Sequence, residues 1–222
     1  MEDVKVGALS VHKARKLMDK NFLGIERAKL RFGKDVFAEN EKELSEMVFS
    51  KNFLERYKST HILAAVPSLS INDIRDKFSK LDIQNEAGRK VELFNSDYEY
   101  FRYHNGREFA KRRGPASWRL VRKSKLPNSQ SKTWKEQKAL LSVGQYVPDA
   151  RIIIYITIAY YLERKIKLFK DCFIRTADTY TSRDSSQVVV KNLANDNGLA
   201  LLCWNNLIHI SDLGCAVAQE LG

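Results

Sequence analysis

Apolar positions in the first sixty residues fall at helical spacing, and beyond residue 60 the spacing shortens to that of strands. Ser10 stands where an N-cap belongs, ahead of Val11, Ala14, Leu17 and Met18 on one helical face. A short connection, 19–24, leads to a second helix through Ile25, Ala28 and Leu30 that stops near Gly33. Segments 39–49 and 52–57 supply two further helical pieces. From Thr60 the pattern predicts a buried strand over 61–66, closed by Pro67, and then a helix capped by Ser70 and carrying Ile71, Ile74 and Phe78. Strands are expected over 91–94 and 98–101, with Asn105-Gly106 as turn chemistry. Segment 117–123 alternates Trp118, Leu120 and Arg122 against Arg119, Val121 and Lys123, which is a strand with mixed faces.

A helix is expected over 131–141. The strongest helical signal is 149–169, apolar nearly all round at its start and therefore central to the core. Its uninterrupted part, Ile152 to Leu162 with only Thr157 breaking it, would span about 16 Å as a helix, half of a bilayer's hydrocarbon. That length makes it a core helix, and no membrane partner is expected. Strands over 172–176, 187–193 and 199–204 follow, the last two flanking Asn195-Asp196-Asn197-Gly198, a hairpin signal. Residues 216–221 read as a short closing helix. The expected fold class is α+β. A helical N-terminal region, 1–58, packs on a mostly antiparallel sheet within 59–222, with one long buried helix at its centre, and the two parts can be one continuous domain.

Three segments also resemble a group of bacterial proteins to which no activity is attached. They are Lys16-Leu17-Met18-Asp19-Lys20-Asn21-Phe22-Leu23-Gly24, the pair Thr60-His61-Ile62-Leu63-Ala64-Ala65-Val66 and Ser70-Ile71-Asn72-Asp73-Ile74-Arg75, and Trp118-Arg119-Leu120-Val121-Arg122. The resemblance implies a bacterial or phage-like origin and leaves function open.

Composition adds a compartment. The start, Met1-Glu2-Asp3-Val4-Lys5, lacks a charged-then-apolar leader plan, and Cys172, Cys203 and Cys215 form no C-x-x-C pair. Both features suit a reducing cytoplasm.

Charge changes the picture more. The chain carries 38 Lys and Arg against 27 Asp and Glu, a net of +11. Twelve of those cations, against Glu108 and Glu136 alone, lie within 101–138, a local balance of +10. Such a field draws phosphates or acidic surfaces. Aromatic residues interleave with the cations. Tyr100, Tyr103, Trp118 and Trp134 lie among Arg107, Lys111, Arg112, Arg113, Arg119, Arg122, Lys123, Lys125, Lys132 and Lys135. Cations tracking phosphates beside rings that stack on bases is how single-stranded nucleic acid is held. The preferred expectation is therefore non-catalytic binding of nucleic acid or another polyanion through 102–138, with Arg112, Arg113, Arg122, Lys123 and Lys125 converging on one face. The alternative is an interaction or structural protein whose basic face meets an acidic protein. On the plainer reading the tryptophans are core and the cations pair with the seventeen acidic residues of the first hundred positions.

Other constellations are thinner. The first two helices could form a helix-turn-helix presenting Arg27, Lys29, Arg31 and Lys34. His12, His61, His104 and His209 show no ligand spacing, so no metal is expected. No Gly-rich phosphate cradle occurs, so no cofactor is implied. Cys203 with His209 and Asp212 supplies the residue types of a nucleophilic site, and the polar segment 175–186 reads as a loop able to meet phosphate or sugar.

Overall fold

The computed structural model describes residues 7–78, 93, 107–170, 172–180, 186–192 and 198–221. It is an α+β fold. The N-terminal third opens with β1 (Ala8–Ser10) and α1 (Val11–Met18), where the Ser10 hydroxyl accepts from the Lys13 N–H at 3.5 Å. Next come β2 (Phe22–Leu23), α2 (Ile25–Phe32), α3 (Glu41–Glu46), β3 (Val48–Ser50) and α4 (Lys51–Tyr57). Gly33, at φ +106°, ends α2 in a conformation that L side chains rarely adopt. The rest comprises β4 (His61–Val66), α5 (Ile71–Phe78), α6 (Glu108–Lys111), β5 (Ser117–Arg122), α7 (Trp134–Ala139), β6 (Gln145–Tyr146), α8 (Ala150–Arg164), β7 (Phe173–Thr179), β8 (Ser186–Asn192), β9 (Leu199–Asn205), β10 (Leu213–Cys215) and β11 (Ala218–Gln219).

The strands divide into two main sheets rather than one. A five-stranded sheet runs β2-β4-β5-β11-β6, a four-stranded sheet runs β10-β7-β8-β9, and β1 and β3 form a small ribbon. Pairings are antiparallel except β2 with β4 and β10 with β7. α8 packs against β4 of one sheet and β7 and β8 of the other, which explains why thirteen of its fifteen residues are buried. Five of those fifteen are isoleucine, a residue that loses rotamer freedom in a helix, so burial rather than propensity decides the conformation here. Asp149 starts the helix by accepting from the Ile152 N–H at 2.8 Å, and Lys165, left-handed at φ 58°, ends it. One apolar cluster runs from Ala14 and Met18 through Ile62, Leu120 and Ile154 to Val188 and Ala218.

Several boundaries differ from expectation. Segment 39–49 breaks after Glu46, and β3 follows, pairing with β1. The polar segment 175–186 is not a loop throughout, because its first five residues belong to β7. Residues 216–221 form no helix: β11 occupies 218–219 between β5 and β6. The expected strands 98–101 and most of 91–94, the Asn105-Gly106 turn and the 195–197 turn lie outside the described residues. No described helix is long and apolar enough to cross a membrane.

Candidate functional site

β5 distributes the basic stretch across the molecule. Its first residue, Ser117, pairs with Val66, and its last, Arg122, pairs with His61, so Arg113 and Lys123 leave opposite ends of a strand about 20 Å long. Arg112 reaches Asp178, whose other carboxylate oxygen accepts from the Ala150 N–H at 2.7 Å at the N-terminus of α8. Burial pushes the Asp178 carboxyl up, against the pull of that N–H and of Arg112 and Arg151. Arg113 makes a bidentate pair with Asp73, 2.8 Å on each arm. The convergent face expected for Arg112, Arg113, Arg122, Lys123 and Lys125 is therefore corrected: two of the five are neutralised by acids at one end, and the other three lie at the other.

Asp73 also closes the first turn of α5, accepting from the Ser70 N–H and hydroxyl at 2.8 Å while the Ser70 oxygen accepts from its own N–H at 3.0 Å. Burial pushes this carboxyl up, but hydrogen bonds from Arg113 and Ser70 outweigh that and hold it at about 2. A carboxylate held below its unfolded value stabilises the fold above the unfolded pKa, and that stabilisation is lost as pH falls through 2. Asp73→Asn is expected to cost about 1–2 kcal/mol in urea unfolding at neutral pH, after discounting for solvent screening, with the difference closing below about pH 2.

The aromatic half of the expectation is corrected too. Trp118 is 3 % exposed, packs on Phe22 and Phe49, and donates its Nε1–H to the Leu44 carbonyl at 2.9 Å. Trp134, 9 % exposed, belongs to a cluster with Leu126, Cys215 and Val217. Neither offers a face to a base. Tyr100 and Tyr103 lie outside the described residues. Arg107 sits 4.7 Å from the centre of the Tyr180 ring, Lys111 is exposed nearby, and Lys132 and Lys135 accompany α7 and Glu136. Arg119 turns into a separate cleft with Tyr146.

What the fold does gather lies at the C-terminal end of α8. The buried side chain of Asn21 is its node. Its Nδ2 donates to the Lys58 carbonyl at 2.6 Å, and its Oδ1 accepts from the Tyr160 hydroxyl at 3.0 Å and from the Lys123 ammonium at 3.4 Å. Arg164 donates to the Lys20 carbonyl at 3.0 Å, so α8 ends against the same turn. The Arg122 side chain donates to the Ser124 hydroxyl at 3.2 Å, and that of Lys125 to the Cys172 sulfur at 3.5 Å. Among the described residues, none of Lys20, Lys58, Arg122, Lys123 or Lys125 pairs with a carboxylate. The field is felt locally. Burial and the neighbouring charge of Lys20 lower the Lys123 ammonium below its ordinary value. Burial, with the charges of Arg122 and Lys123 added, holds His61 at about 4.

The remaining constellations are accounted for structurally. β2 separates α1 from α2 and enters the sheet beside β4, so the two helices do not form a helix-turn-helix. Arg27 and Arg31 lie 3.4 and 3.8 Å from Glu163, and Lys29 lies 2.8 Å from Glu41. His209, exposed, sets Nδ1 3.2 Å from the Ser131 carbonyl. Cys203 faces Val188 across the β8–β9 ladder, and Asp212 uses its carbonyl to accept from the Phe173 N–H. Burial raises the Cys215 thiol to about 12 despite the nearby Arg175, so it is an inert core group. Among the described residues no cluster of three or more His, Cys, Asp or Glu is placed to hold a metal.

Comparison with known proteins leaves this geometry as the ground for a functional reading: no family model, no curated protein and no solved structure matches the chain.

Lys20, Asn21, Lys58 and Arg164 were not legible as site residues. They come from a short connection and two helix ends, and only the fold brings them beside 122–125.

Proposed function

We propose that the corner formed by Lys20, Lys58, Arg122, Lys123 and Lys125 binds a polyanion, with the phosphate backbone of nucleic acid as its occupant. The observation that carries this reading is the Lys123 ammonium, held against the neutral Asn21 amide with Lys20 nearby and, among the described residues, no carboxylate paired with either. Like charges held together repel, and a phosphate placed between them removes that cost. Buried Trp118 and Trp134 take away the reason to prefer single strands, so binding rests on phosphate contacts and a duplex serves as well as a single strand.

An acidic protein surface would use the same cations, and salt and competition separate the two. Labelled duplex and single-stranded DNA and RNA are titrated against the chain over a range of salt. Four to five phosphate contacts predict a log–log salt slope of about −3.6 to −4.5 on duplex. Arg122→Ala with Lys123→Ala and Lys125→Ala is expected to weaken binding at low salt by about 10–100-fold, at roughly 1 kcal/mol or less per charge. Arg112→Ala with Arg113→Ala is expected to leave binding nearly unchanged. No binding of any of the four nucleic acids at low salt ends the proposal.

A further inference from the structure

We propose that the cleft beside Arg119 binds a small zwitterion with an apolar side chain, its carboxylate on the Arg119 guanidinium and its ammonium at Glu43 and Glu220. The site is distinct from the basic corner and does not depend on it. A cavity of about 500 Å³ opens where β11 stops: β5 is paired with β11 only at Leu120 and Val121, and its residues 117–119 have β4 on one side and the cleft on the other. That volume lies within the usual range for small-molecule sites, and Met47, Leu44, Tyr146 and Leu221 supply an apolar lining.

The walls are fixed before any ligand arrives. Asn40 donates to the Ala116 carbonyl at 3.0 Å, Trp118 donates to the Leu44 carbonyl at 2.9 Å, and the Glu220 N–H donates to the Gly144 carbonyl at 2.8 Å. Preorganisation of this kind lowers the ordering cost of binding.

Arg119 gives the cleft its chemistry. The residue is half-buried, Nη1 donates to the Tyr146 hydroxyl at 3.2 Å, and Nε has no hydrogen-bond partner. Among the described residues no carboxylate pairs with it, and it stands close enough to Arg151, a like charge, for the two to repel. A partly desolvated guanidinium without an ion-pair partner among the described residues is incomplete, and a carboxylate entering the cleft pairs with its remaining Nη N–H groups. Glu43 and Glu220 line the same cleft and are exposed, so the negative charge stands at the rim and the positive charge deeper in. A ligand carrying only an anion would meet that rim unfavourably. One with an ammonium beside its carboxylate matches both levels, as free α-amino acids and short peptides do.

The full chain is titrated calorimetrically with L-leucine, L-phenylalanine and the dipeptide Leu-Phe, and with the N-acetyl and C-amide forms of each. At least one zwitterion is expected to saturate below about 1 mM, with acetylation or amidation weakening it by about tenfold each. Arg119→Met keeps the apolar stem and is expected to abolish binding. Glu43→Gln, an exposed change that leaves the core alone, is expected to weaken the zwitterion several-fold while strengthening its N-acetyl form, a pure anion relieved of part of the acidic rim. Lys123→Ala is expected to change nothing. Absence of binding by all three zwitterions at about 10 mM, or equal affinity in the wild type and Arg119→Met, overturns the proposal.

Discussion

Arg175→Met is expected to cost about 3–5 kcal/mol, the largest effect of any single change considered for this chain. Arg175 is wholly buried on β7 and has no carboxylate partner among the described residues. Its guanidinium instead donates to four acceptors: the Lys132 carbonyl at 3.0 Å, the Gln137 side-chain oxygen at 3.2 Å, the Asn205 carbonyl at 3.1 Å and the Ile208 carbonyl at 3.0 Å. Gln137, itself fully buried, passes the network on to the Ser129 and Leu213 carbonyls at 2.7 and 3.2 Å, and the Ser129 oxygen accepts from the Cys215 N–H at 3.2 Å. One side chain thereby ties β7 to the loop before α7 and to the loop after β9. That first loop holds Asn128 and Ser131 at φ 60° and 52°, a conformation that persists only where surrounding bonds over-determine it. Methionine fills the space and leaves four acceptors without donors, each desolvated at about 1–3 kcal/mol, partly relieved where water enters. Urea unfolding checks it, and the midpoint in thermal unfolding should fall by roughly 10 °C or more. A loss below about 1 kcal/mol would show that the hub is not needed.

Acid is expected to destabilise the protein through His61. The ring is 1 % exposed, with Nδ1 2.8 Å from the Thr60 hydroxyl, which itself donates to the Tyr57 carbonyl at 3.4 Å. Nε2 faces the Gln219 amide nitrogen at 3.5 Å, so the proton sits on Nδ1 and the other nitrogen accepts. Protonation would set a new N–H against that amide donor, next to Arg122 and Lys123. The folded value, about 4, lies below the unfolded value of about 6.5. Between those limits the unfolded chain binds the extra proton, so stability is fully present above about 6.5 and is lost as pH falls toward 4. The loss amounts to about 2–3 kcal/mol. Stability measured across that window should slope in the wild type and flatten by that amount in His61→Gln. An unchanged slope in the variant would assign the acid limb to other groups. A bound polyanion at Lys123 should also shrink this acid loss, since it offsets the charges that disfavour the imidazolium and raises the folded value toward the unfolded one.

Much of the architecture was readable because burial leaves a direct imprint on composition. The run Ile152 to Leu162 announced α8, although the expected span 149–169 overran its end at Arg164. His61 to Val66 read as a strand because all six positions are buried. Where polar side chains are satisfied internally that imprint fails. The start of β7 reads as a strand over 172–176, but Asp178 helps make its second half look like a loop, although that side chain is buried and hydrogen-bonded within the fold. Two- and three-residue strands such as β11 and β3 carry too few positions for any period to show. The candidate site was legible only in part for a related reason. Counting charge along 101–138 treats chain neighbours as spatial neighbours, while β5 carries Arg113 to one end of the molecule and Lys123 to the other. The identity of the cations could be read, but their neutralisation by Asp73 and Asp178 and the arrival of Lys20 and Lys58 depend on tertiary pairing.

Both sheets close late. β10 joins the four-stranded sheet, and two residues later β11 enters between β5 and β6, so the span 213–219 completes each. α8 ends about fifty residues earlier, at Arg164. During synthesis the ribosome therefore releases this helix, apolar on every side, roughly 3–10 s before the strands that finish its housing emerge. During that interval the helix can already pack on β4 and α5, but the face that meets β7 and β8 stays uncovered, so yield is expected to depend on elongation rate and on holding chaperones.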